Sequence, residues 1–98
     1  MDKSRALKLL QDSRERIDRI DEELIILISE RTALARDIIE AKIFLGIEIQ
    51  DTQREEYIQK KAIDLARENN IDEESLTQIM KILTDLNKKE QEEILRRK

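Results

Sequence analysis

A chain of 98 residues is long enough for one domain and too short for two. It has no Cys and no His, which excludes disulfides, thiol nucleophiles, imidazole acid–base chemistry and the usual zinc and copper sites. A net charge of −4 argues against a general nucleic-acid binder. No apolar run is long enough to span a membrane and no signal-peptide pattern opens the chain, so a cytoplasmic protein without a nucleic-acid or membrane partner is expected. With no Pro, one Gly and 43% of its residues charged, the composition is that of an all-α protein.

The first predicted element is one uninterrupted helix over about residues 5–44, stopped by Gly46. Leu7, Leu10, Arg14, Ile17, Asp21, Leu24, Ile28, Arg31, Ala35, Ile38 and Lys42 follow one another along it in alternating steps of three and four, a heptad seam. "LIILI" at 24–28 is apolar all round, so the middle of the helix must be covered on more than one side. From Leu7 to Lys42 the helix is about 54 Å long, whereas a compact domain of this size is only about 35 Å across. Two shorter helices cannot cover that stripe. A second copy of the chain can, so a homodimer is expected.

Residues 47–50 read as a connector, followed by Asp51 and Thr52 as candidate N-caps, with Thr52 and Glu55 at capping-box spacing. A second helix runs over about 52–68 until "ENNID" breaks it. Asp72 then caps a third over about 73–95, with Leu76, Met80, Leu83, Asn87, Glu90 or Gln91, and Ile94 along its seam. The first half of that seam is core. The second half puts amides where apolar residues should continue.

The polar residues on the seams have a structural explanation. A single polar residue sets register in a coiled coil, and long Lys and Arg chains bury their stems while keeping their heads in water. That explanation serves any one of Arg14, Arg31 and Lys42. Three like charges repel each other, however, and Asp21 can neutralise only one. The functional alternative is that the cations surround a ligand with more than one negative charge. Arg31 and Lys42 lie three turns apart, about 16 Å along the axis, and can fold in from both ends of a small-molecule-sized gap. Arg14 is too far away within its own chain, but the neighbouring helix of an antiparallel dimer can bring its copy alongside. Asp51, Arg54 and Glu55 stand at the start of the second helix, where free N–H groups and the helix dipole face outward. On their own they read as a cap with surface charges.

Taken together, "RERIDRIDEELIILISER" (14–31), "AKIFLGIEIQDTQREE" (41–56) and "LNKKEQ" (86–91) resemble, in order and spacing, the all-helical class of chorismate mutase. The resemblance covers nearly the whole chain. It implies a single domain over 1–98, built as a three-helix subunit with one very long N-terminal helix in an intertwined homodimer. It also implies an isomerase of the shikimate pathway, serving phenylalanine and tyrosine biosynthesis and needing neither cofactor nor metal. Carried over position by position, Arg14 from the partner subunit and Arg31 bind the carboxylates of chorismate. Lys42 and Gln91 face its ether oxygen. Glu55 accepts from the ring hydroxyl, with Asp51 and Arg54 shaping that end, and Asn87 stands near a carboxylate. The family's reaction is a pericyclic rearrangement to prephenate that uses no nucleophile or proton transfer, so a chain without Cys or His can perform it. Two other readings stay open. One is an isochorismate-pyruvate lyase of the same fold, whose members lack the "RE" pair seen here at 54–55. The other is a non-catalytic helical dimerisation module.

Overall fold

A computed structural model of the chain describes residues 1–97, which form helices and short connectors with no strand among them. In chain order the helices are α1 (Lys3–Ala33), α2 (Ala35–Leu45), α3 (Thr52–Glu68) and α4 (Glu73–Arg97). None of them is long and apolar enough to cross a membrane. The chain divides into two units, residues 1–30 and residues 31 onward.

The first unit is the bulk of α1. Asp2 caps it, accepting the Arg5 N–H at 2.8 Å. Nothing in α1 is buried. Leu7, Leu9, Leu10, Ile17, Ile20 and Leu24–Leu27 are all between 46% and 64% exposed. A helix this apolar and this bare has no covering within its own unit.

The second unit holds the core. α4 packs against both α2 and α3. Ala62 and Ala66, one turn apart on α3, are buried and small enough to let α4 approach closely. On α2 Ala35 and Ile39 are buried, the alanine leaving room and the isoleucine filling the core. α4 contributes Thr84 and Gln91, both buried and polar. Thr84 is satisfied within its own helix, its hydroxyl donating to the Met80 carbonyl at 2.8 Å.

Where the pattern predicts one uninterrupted helix over 5–44, the structure has a break at Leu34. Neither Pro nor Gly is near. The side chain of Asn87 on α4 donates from Nδ2 to the Arg31 carbonyl at 3.1 Å, one turn before the break. A side chain entering the backbone ladder is a standard cause of such an interruption. Leu34 keeps helical dihedrals (φ −66, ψ −14), and the ladder resumes with Ile38 N–H donating to Leu34 O at 3.1 Å.

The helix ends follow local chemistry. Gly46 takes the left-handed conformation (φ 68), its N–H donating to Ile43 O while Ile47 N–H donates to Lys42 O. That pair of bonds is a Schellman motif. Asn70 (φ 56) ends α3 in the same way, with Ile71 N–H on Ala66 O. At the start of α3, Asp51 is the N-cap, accepting the Arg54 N–H at 3.0 Å. Thr52 is therefore already inside the helix, and the Thr52–Glu55 box does not form. At α4 the Asp72 carboxylate accepts both the N–H and the hydroxyl of Ser75, which holds its pKa below the ordinary carboxylate value.

Candidate active site

Within the second unit, the end of α1, the three helices α2–α4 and one connector surround a cavity of about 380 Å³. The end of α1 supplies Arg31, and α2 supplies Ile38 and Lys42. The connector and the start of α3 supply Ile49, Asp51, Arg54, Glu55 and Ile58. Thr84, Asn87, Lys88 and Gln91 come from α4. Seven of the eight residues singled out from the sequence thus meet around one space. The eighth, Arg14, lies exposed on α1 in the other unit, with no ion pair among the described residues.

A directional chain of hydrogen bonds runs along one wall. The Lys42 ammonium donates to Ile49 O at 2.7 Å and to Gln91 Oε1 at 3.0 Å. Gln91 Nε2 donates to Asn87 Oδ1 at 2.7 Å, and Asn87 Nδ2 to the Arg31 carbonyl. Each amide is oriented by its neighbours: a carbonyl must face the cation, so an NH₂ must face onward. Gln91 is only 3% exposed, so its side chain is fixed by packing as well as by bonding. An ammonium has three donors and an amide NH₂ two. Lys42 and Gln91 therefore each keep one N–H for a ligand.

Arg31 reaches across to α4, donating from Nη1 to Leu83 O at 2.8 Å. Its remaining N–H groups are available. Partial burial, and then the like charge of Arg54, hold its pKa below the ordinary guanidinium value. Arg54 stacks over Tyr57, with its guanidinium carbon 4.9 Å from the ring centroid. Among the described residues neither Arg31, Lys42 nor Arg54 is in a salt bridge. With Lys88, the lining carries four cations against the two carboxylates Asp51 and Glu55. That excess of two positive charges suits a dianion. No group of three or more carboxylates that could hold a metal ion occurs among the described residues.

The sequence reading did not pick out Lys88, which pairs with Glu55 at 3.1 Å, nor Gln50, which donates to Glu55 Oε2 at 2.6 Å. Lys88 sits one residue past the seam position Asn87, and a charged residue beside a seam reads as solvated surface. Its spacing of four from Thr84 and three from Gln91 was the available signal.

With this geometry in view, the comparisons with known proteins are specific. The profile of the chorismate mutase type II family matches residues 13–92. A chorismate mutase of Methanocaldococcus jannaschii is 40% identical over 89 residues, covering 91% of this chain and 90% of that protein. The bifunctional chorismate mutase/prephenate dehydratases of Buchnera aphidicola and Escherichia coli K12 are 29% and 28% identical, over 86% and 74% of this chain. The matched segments span only 22% and 19% of those two longer proteins.

Proposed function

This chain belongs to the chorismate mutase type II family, and from that premise we propose that it is an isomerase converting chorismate to prephenate, working as a cytoplasmic homodimer whose described residues form one catalytic domain. The observation that carries the reading is the set of cations without carboxylate partners, Arg31, Lys42 and Arg54, facing a cavity of about 380 Å³. Arg31 and Lys42 are partly buried, and sheltering such charges from water is costly unless an anion joins them.

The reaction breaks the ether C–O bond of chorismate as a new C–C bond forms within the same molecule. The enzyme has two tasks. It must hold a flexible dianion in its reactive fold, and Arg31 can do this with paired N–H groups on one carboxylate. It must also stabilise the negative charge growing on the ether oxygen. The N–H groups left on Lys42 and Gln91 serve here, preorganised by the Ile49 carbonyl and the Asn87 amide. Asn87 thus acts by orienting Gln91. Glu55 accepts from the ring hydroxyl, and Asp51 and Arg54 close that end.

The bare apolar length of α1 supports the dimer. Isoleucines and leucines half exposed along a helix need a partner surface, and a second copy of the same helix offers one of equal length. In an antiparallel arrangement that copy also brings its Arg14 to the site, a further cation for the second carboxylate.

Absorbance assays with chorismate and, separately, isochorismate test the activity. Loss of chorismate with formation of prephenate is expected. Pyruvate released from isochorismate instead would assign the lyase reaction, and a folded protein inert to both would leave only a dimerisation module. Sedimentation tests the assembly: a compact folded monomer at micromolar concentration refutes it.

A further inference from the structure

We propose that Lys88 and Gln50 set this site's preference for a hydroxyl-bearing ligand by holding the Glu55 carboxylate in place. The inference rests on the reading above, in which Glu55 accepts from the ring hydroxyl. The three side chains close a ring of hydrogen bonds. Lys88 Nζ donates to Glu55 Oε1 and to Gln50 Oε1, each at 3.1 Å, and Gln50 Nε2 donates to Glu55 Oε2 at 2.6 Å.

The pair is not an ordinary surface ion pair. The side chains of Lys88 and Glu55 are 21% and 20% exposed, whereas every other salt bridge among the described residues has at least one partner 51% exposed or more. Exposed pairs contribute little; a pair sheltered on both sides holds its geometry. It also joins α3 to α4 at the rim of the cavity, and Gln50 ties in the connector.

Two consequences follow for Glu55. A carboxylate facing a dianionic ligand is repelled unless a cation offsets it, and Lys88 does so from within hydrogen-bond distance. Each carboxylate oxygen also has one donor already and a second lone pair free. The free positions can only accept, so they favour a ligand presenting an O–H and reject one presenting a C–H. A buried acceptor left unpaired is the physical basis of such discrimination. With both oxygens anchored before the ligand arrives, little ordering remains to be done on binding. Lys88 and Gln50 are thus positioning residues, acting through Glu55.

The test compares kcat/KM for chorismate and for the analogue in which hydrogen replaces the ring hydroxyl. The wild-type enzyme should prefer chorismate. Lys88→Met should reduce that preference on the order of 10- to 100-fold, the worth of a hydrogen bond to a charged group, and Lys88→Arg should restore part of it. Gln50→Ala should move it the same way by less, with no change of charge. Because Gln50 is exposed on a connector, that variant carries the test alone should Lys88→Met fail to fold. A purely structural or bulk-charge role lowers both substrates equally, and an unchanged preference in the folded variants overturns the proposal. Wild-type protein inert to chorismate overturns the mutase reading instead, and an active enzyme with no preference overturns the role of Glu55.

Discussion

Lys42→Ala is the most direct probe of the chemistry. Two of the three ammonium N–H groups are committed, to Ile49 O at 2.7 Å and to Gln91 Oε1 at 3.0 Å, so the third is held in a defined direction. Removing a preorganised donor typically lowers kcat by 10²–10³, about 2.7–4 kcal/mol. Lys42 carries a full charge in a half-buried site, and its loss also frees the Gln91 amide to turn. The expected loss is therefore at or beyond the upper end of that range. Folding is affected far less. Hydrogen bonds to charged groups contribute about 1.5–3 kcal/mol when sheltered, but water can reach this partly exposed position, so a cost of about 1 kcal/mol is expected. For a chain of this length that lowers Tm by about 4–8 °C. KM should change little, since the interaction strengthens in the transition state. Chorismate loss followed by absorbance, with helicity by circular dichroism, separates the two effects. A folded Lys42→Ala enzyme with kcat within tenfold of wild type refutes the assignment.

Gln91→Glu places a carboxyl group 3.0 Å from the Lys42 ammonium, which favours the ionised form. A carboxylate cannot donate to the ether oxygen, so activity should fall at neutral pH and recover toward acid; a profile like that of wild type argues against the contact. A dicarboxylate transition-state analogue should raise Tm by relieving the mutual repulsion of Arg31 and Arg54. At 100 times its Kd the gain is about 2.7 kcal/mol, shrinking with salt and much smaller in Arg31→Leu; an equal shift in that variant excludes Arg31 as the carboxylate ligand. Asp72→Ala removes the cap of α4. Because the Ser75 bonds depress the Asp72 pKa, its contribution is complete above the ordinary carboxylate value and is lost as pH falls through the depressed one. The Tm difference from wild type should therefore be present at neutral pH and vanish in strong acid. A pH-independent difference would show that the cap does not act through its charge.

Legibility differed from residue to residue. Gly46 and the Asn pair at 69–70 mark helix ends by conformational preference, which is local and so readable. Asp72 caps α4 for the same reason. Asp51 and Thr52 both fit a cap by composition, and only the backbone shows that Asp51 takes the position. Arg31 and Lys42 stood out because cations interrupt an apolar seam. Lys88 did not, because nothing about a lysine beside a seam says that a glutamate 33 residues away will shelter it.

Composition and periodicity by themselves determined the helical class, the stops at Gly46 and at Asn69–Asn70 and the misfit of the seam cations, since each depends on neighbours within a turn or two; the break at Leu34 was not among them. The tertiary structure decided which polar groups meet. It sends the Asn87 amide into the backbone of α1, turns the Gln91 carbonyl toward Lys42 and closes the Lys88–Gln50–Glu55 ring. Those contacts join residues 33 to 56 positions apart (for Gln50 and Glu55, five), and their geometry depends on how closely small residues such as Ala62 and Ala66 let the helices approach. No local rule encodes that distance.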